Sequence, residues 1–135
     1  MYTVTKFIDF CYGHRLLEYK GKCCNIHGHN GKAEVELYSE KLNDLGMVVD
    51  FVDIKNILME WIDENLDHQL LLSKDDPLVD VLKSNGVGVF VMDSNPTAES
   101  IARLIYDLAV SKGLPVNRVT FWETDSSFAV YDGKK

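Results

Sequence analysis

From Lys32 to Glu36 and on to Leu37 the chain alternates without a break. Ala33, Val35 and Leu37 point one way, and Lys32, Glu34 and Glu36 point the other. Side chains of a strand project to alternate faces, so residues 32–38 read as a half-buried antiparallel strand. Such a strand needs partners beside it and an apolar layer on one side. Residues 2–11 offer a partner: Tyr2, Val4, Ile8 and Phe10 alternate with Thr3, Thr5 and Asp9, with Lys6 out of pattern. Between the two strands, residues 15–30 show no helical period and read as an ordered loop.

The apolar layer is supplied by two amphipathic stretches. Ile54, Ile57, Leu58, Trp61 and Ile62 fall at helical spacing after Asp50, a good N-cap, with Asp53 adding negative charge to the first turn. This helix is expected to end near Asn65-Leu66. Asn95-Pro96-Thr97 opens a second helix with Ile101, Leu104, Ile105 and Leu108 as its stripe, stopped by Lys112-Gly113. Further strands are expected at Met47–Val49, Gly88–Met92, Val116–Thr124 and Phe128–Tyr131. Residues 73–86 are polar, apart from a helical turn at Leu78-Val79-Val81-Leu82. The predicted class is α+β: one antiparallel sheet, two helices on one face, a single domain over 1–135. The uncovered sheet face must meet something, and if that face is apolar, self-association is the economical answer.

Net charge is −7, which argues against nucleic acid as a partner, because phosphate neutralisation needs a basic face. The first residues lack a signal peptide's basic start and apolar run. No apolar stretch approaches the roughly 20 residues of a membrane helix. Three cysteines, two of them adjacent, do not make a disulfide framework. A reducing cytoplasm is the expectation.

The chemistry concentrates in Cys23-Cys24-Asn25-Ile26-His27-Gly28-His29. In extended chain His27 and His29 share a face and can reach one ion, and zinc takes imidazole and thiolate ligands. His14 competes with Asp9, Cys11 and Cys23 to complete the site, and two full ligand sets stand out. His14, His27 and His29 give a three-histidine site with a free position; Cys23, Cys24, His27 and His29 give a closed structural site. In the first set Cys23 is released to act as base or nucleophile, its thiolate favoured by the cation. The alternative for Cys23, and the simpler reading of Cys11 and Cys24, is a small buried hydrophobe. Asp67-His68 suits a carboxylate-oriented imidazole; the simpler reading is a helix end where an imidazolium meets the dipole. Glu123 shares a strand face with Val119 and Phe121, where a carboxylate needs a partner such as an amidine-like ligand edge, or an exit to solvent. Thr97 and Glu99 read first as helix-capping residues.

Together these segments resemble the 6-pyruvoyl-tetrahydropterin synthase / 6-carboxy-tetrahydropterin synthase family. Phe10-Cys11-Tyr12-Gly13-His14-Arg15-Leu16 is similar to its first zinc-histidine segment, and Cys23-x-x-x-His27-Gly28-His29-Asn30 to its most specific signature. Gly46-Met47-Val48-Val49-Asp50-Phe51, Leu66-Asp67-His68, Asn95-Pro96-Thr97-Ala98-Glu99 and Glu123-Thr124 follow in order. Gly31 departs from the pattern, since many members carry a bulky residue there.

The resemblance implies a T-fold whose subunits join sheets edge to edge into a β-barrel, as a hexamer or tetramer with sites between subunits. It implies Zn2+ on His14, His27 and His29, and Cys23 as catalytic thiolate acting with Asp67 and His68. Glu123 would hold the pterin, with Thr97 and Glu99 contributing. The implied substrate is the small molecule 7,8-dihydroneopterin triphosphate, with Arg15 and nearby lysines as candidates for its phosphates. Two products are compatible. A 6-carboxy enzyme releases acetaldehyde and triphosphate toward queuosine; a 6-pyruvoyl enzyme releases triphosphate toward tetrahydrobiopterin. The short chain points to the carboxy product. A zinc-stabilised or metal-free pterin-binding module without catalysis is the competing expectation.

Overall fold

The computed structural model describes residues 1–133. Strand β1 (Tyr2–His14) pairs antiparallel with β2 (His27–Ser39) over its whole length, from Tyr2 opposite Ser39 to His14 opposite His27. Strand β2 continues antiparallel to β5 (Val116–Thr124), and β5 to β6 (Ser127–Tyr131). On the other side of β1 lie β3 (Gln69–Ser73) and β4 (Val89–Met92), both joined in parallel. The six-stranded sheet has the order β4-β3-β1-β2-β5-β6. It is therefore mixed, where an antiparallel sheet was expected.

Two helices cover one face, as anticipated. Helix α1 (Phe51–Asn65) begins where the Asp50 carboxylate accepts from the Val52 amide at 2.8 Å, and it packs over β1. Its stripe of Ile54, Leu58 and Ile62 is fully buried, worth roughly 1.5–3 kcal/mol per side chain. Helix α3 (Ala98–Ser111) is capped by Thr97, whose hydroxyl accepts from the Ser100 amide, and packs over β5 and β6. Gly113 ends it at φ +84°, a left-handed conformation that other residues resist. The short α2 (Leu78–Ser84), expected as a turn, is a third helix. Beneath α1 and α3 lie Ile8, Phe10, Ala33, Val35, Leu37, Val119 and Phe121, all facing one way because the register sets them opposite one another. The other face leaves Phe7, Phe128 and Val130 exposed.

Three local expectations are corrected. Met47–Val49 is not a strand: the Asn43 side chain accepts from the Leu45 and Met47 amides and ties the segment into a turn. Gln69–Ser73 is a strand that periodicity did not show. Its Leu70-Leu71-Leu72 run has no alternation, because a parallel strand packed on both faces needs none. Strand β1 runs beyond the expected 2–11 to His14, and the loop assigned to residues 15–30 is shorter, since β2 starts at His27. Pairing between the two strands, not local pattern, carries both to the histidines.

Candidate functional site

The core-facing row of β1 runs Ile8, Phe10, Tyr12, His14. Opposite it on β2 stand Ala33, Gly31, His29 and His27. The histidines thus extend the apolar layer at its end. His14 and His27 lie in register, and His29 sits one step inward on the same face. Their ring centroids are 4.6–5.1 Å apart. One ligand nitrogen from each of the three lies within 4.8 Å of the others.

Tautomers follow from the outer nitrogens. His14 Nδ1 is 2.7 Å from the Pro96 carbonyl, and His27 Nδ1 is 2.7 Å from the Asn25 carbonyl. A carbonyl only accepts, so both Nδ1 atoms carry the proton and both Nε2 atoms present lone pairs. Those Nε2 atoms face each other at 3.1 Å. His29 Nε2 is buried without a hydrogen-bond partner, 3.7 Å from Glu123 Oε1. Two opposed lone pairs and an orphaned third nitrogen fit a cation between them, and backbone carbonyls behind metal-binding imidazoles are the usual support. Burial pushes His14 below the ordinary imidazole range, helped by its histidine neighbours and opposed by Pro96 and Glu123. Burial likewise lowers His29, against the pull of Glu123. Both favour the neutral ligand form.

A cavity of about 570 Å³ opens beside this cluster, lined among others by His14, Cys23, Thr97, Glu99 and Glu123. Thr97 and Glu99 keep their capping places at the start of α3 and also reach this space. Cys23 sits on a single 3-10 turn, Lys22–Cys24. Its loop is fastened at three points. The Cys23 carbonyl accepts from Leu16 at 2.9 Å; Asn95 brackets Leu17, accepting from its amide and donating to its carbonyl. Arg15 donates twice to Asp76, at 2.7 and 2.5 Å, and this carboxylate is fully buried. Arg15, a candidate for phosphate binding, is thus committed to the fold. Its guanidinium holds the Asp76 carboxyl below the usual range.

Asp67 and His68 do not join Cys23 within the chain. They meet Cys11 instead. Asp67 accepts from the Cys11 amide at 3.0 Å, and His68 Nδ1 lies 2.9 Å from the second Asp67 oxygen. His68 lines a separate cavity of about 530 Å³ with Cys11, His27 and His29. Cys11 is half-buried rather than part of the apolar interior, and Cys24 is exposed. Among the described residues no cysteine joins the histidine cluster, so the closed Cys23, Cys24, His27, His29 set is not assembled.

Sequence reasoning missed Tyr12. Its ring lies 5.2 Å from that of His14 and 5.7 Å from that of His29, and its hydroxyl is buried without a partner. It also explains the unusual glycine. A Cβ at Gly31 would lie 2.5 Å from Phe121 Cζ and 3.0 Å from Tyr12 Cε1. The two rings occupy the space that a bulky residue at position 31 would need.

A family model described as 6-pyruvoyl tetrahydropterin synthase matches residues 3–134. A 6-carboxy-5,6,7,8-tetrahydropterin synthase of Rickettsia conorii is 38% identical over 135 residues, covering 95% of this chain and 98% of its own. One of Haemophilus influenzae is 30% identical, over 97% of this chain and 99% of its own. Among solved structures, an uncharacterized protein of Wolinella succinogenes superposes with a TM-score of 0.81 at 29% identity, over 98% of both chains. The 6-pyruvoyl tetrahydropterin synthase of Caenorhabditis elegans gives 0.74 at 26% identity, over 98% of this chain and 96% of its own. With its α+β T-fold, this chain belongs to the 6-pyruvoyl tetrahydropterin synthase family.

Proposed function

We propose that this protein is a zinc-dependent lyase, a 6-carboxy-5,6,7,8-tetrahydropterin synthase. It converts 7,8-dihydroneopterin triphosphate to 6-carboxytetrahydropterin, acetaldehyde and triphosphate, in the cytoplasm, on the route to queuosine. The observation that carries this reading is the single cavity where His14, Cys23, Thr97, Glu99 and Glu123 converge beside the three imidazoles. The name shared by near-full-length relatives at 30–38% identity supports the carboxy product.

His14, His27 and His29 hold Zn2+, which when bound supplies Lewis acidity toward the hydroxyls of the substrate side chain. Glu123 accepts two N–H bonds from the amidine-like edge of the pterin, a charge-assisted pair that fixes its orientation. Thr97 and Glu99 line the same wall and add polar contacts. Cys23 takes a proton from the side chain that the pterin anchor brings to it. Asp67 fixes the His68 ring through Nδ1, leaving Nε2 to pass a proton. Cys23 and His68 line different cavities of one chain. A homo-oligomer, hexamer or tetramer, with sites between subunits brings the Asp67–His68 pair of one copy to the Cys23 of the next. The whole of 1–135 acts as one domain in that assembly.

Incubation of the zinc-loaded protein with 7,8-dihydroneopterin triphosphate, read by product mass, tests this. Acetaldehyde with a carboxy-pterin is expected. A pyruvoyl-pterin without acetaldehyde transfers the protein to the other product, and unchanged substrate overturns the catalytic reading. Cys23→Ala is expected to lose turnover and keep its zinc.

A further inference from the structure

Beyond the proposed reaction, the side of β1 from which Cys11 projects carries a second arrangement of reactive groups, in the cavity that His27 and His29 also line. Cys11 and Tyr12 are neighbours on β1, so their side chains leave opposite faces. Tyr12 points to the imidazole cluster; Cys11 points to the Asp67–His68 pair, with its Sγ 3.8 Å from His68 Nε2. The backbone locks this contact from both sides. The Cys11 amide donates to Asp67 at 3.0 Å, and the His68 amide donates to the Cys11 carbonyl at 2.7 Å. His68 is held at φ +61°, a left-handed conformation costly for a residue with a Cβ, and that turn aims its ring at β1.

The proton positions follow. Asp67 Oδ2 lies 2.9 Å from His68 Nδ1, and a carboxylate only accepts. Nδ1 therefore carries the proton, and Nε2 of the neutral ring is an acceptor facing the thiol. This is the order of a Cys–His–Asp relay: nucleophile, base, orienting carboxylate. Burial alone would raise the Asp67 carboxyl, but the His68 ring and the Cys11 amide outweigh it and hold it below the usual range. Cys11 and His68 share the cavity of about 530 Å³, so a small reagent has room beside the sulfur.

We infer that Cys11, and not only Cys23, is a reactive thiol of this protein: a modification site for small soft carbon electrophiles, with His68 as its base. In the step, the Cys11 sulfur attacks the electrophilic carbon and the S–C bond forms. The thiol proton passes to His68 Nε2, and the leaving group departs with its electron pair. Modification at Cys11 places bulk against Nε2, so the state of this thiol sets whether His68 is free to move protons elsewhere.

Iodoacetamide labelling of the zinc-loaded protein, followed peptide by peptide by mass spectrometry, tests the assignment without relying on turnover. Cys24, which is exposed and, among the described residues, has no imidazole against its sulfur, is the internal reference. Cys11 is expected to label at least tenfold faster than Cys24. The variant His68→Asn, whose new residue tolerates the left-handed backbone, is expected to remove that advantage and leave Cys24 unchanged. Asp67→Asn is expected to act in the same direction. Cys11 labelling no faster than Cys24, or a Cys11 rate indifferent to His68→Asn in a protein with unchanged circular dichroism, overturns the inference.

Discussion

The two histidine-containing regions of this molecule are built on opposite principles. The cluster of His14, His27 and His29 continues the buried layer of the sheet, and two of its imidazoles, His14 and His27, are braced by the Pro96 and Asn25 carbonyls. The Asp67–His68 pair sits at a helix end, with the His68 side chain 76% exposed and its backbone in a costly conformation. One region is prepared in advance to hold something at a fixed place. The other presents an acid–base group that is oriented but open. A lyase needs both: fixed ligands where charge is stabilised, and an accessible group where protons enter and leave.

The largest expected difference lies in stability. Arg15→Ala leaves the buried Asp76 carboxylate without its ion-pair partner, and is expected to cost about 3–5 kcal/mol in urea unfolding. A loss below about 1 kcal/mol would show that the loop behind the cluster is not locked. Metal retention comes next. His14→Ala is expected to weaken zinc binding by more than about 100-fold in equilibrium dialysis, beyond the cost of losing an outer support. His68→Asn is expected to leave zinc binding unchanged; a shared loss would erase the contrast between the regions.

Packing near the cluster gives a smaller effect. Gly31→Phe drives a ring into Phe121 and Tyr12 and is expected to destabilise by about 1–3 kcal/mol. Adding Tyr12→Ala is expected to recover part of that loss, because the pair compete for one space; strict additivity of the two changes would sink the explanation.

The regions should also separate by pH. Burial holds His14 and His29 below the ordinary imidazole range, so the unfolded chain takes up protons first. Metal-free protein should therefore keep its full stability above about pH 6.5 and lose it as pH falls below. Asp67 is held low, so its contribution persists above about pH 3.9 and fades only on further acidification. Thermal melts of chelated wild type and His29→Gln from pH 8 to 5 check this, and equal slopes would refute it. Smallest of all, His68→Asn is expected to shift stability by less than about 0.5 kcal/mol, since an exposed ring contributes little to the fold.

Much of this was legible in the residues. Alternation over 32–38 and the stripe from Ile54 to Ile62 carried the sheet and α1, because amphipathic elements print their period in the chain. Glu123 was legible for a related reason: a carboxylate ending an apolar row demands a partner. Strand β3 was not, because a strand packed on both faces has no alternation to read. Cys11 was not, because its partners Asp67 and His68 lie 56 and 57 residues away and reach it only through a parallel pairing of β3 with β1.

By itself, then, the sequence determined the strands and helices that bury one face, and that His27 and His29 share one face, since those depend on local period. Only the tertiary structure decided which histidine completes the cluster, that Arg15 serves Asp76, and which thiol faces His68. Those outcomes depend on register between β1 and β2 and on the place of β3 beside them. Register is set by burying whole faces at once, and no short stretch of chain contains that information.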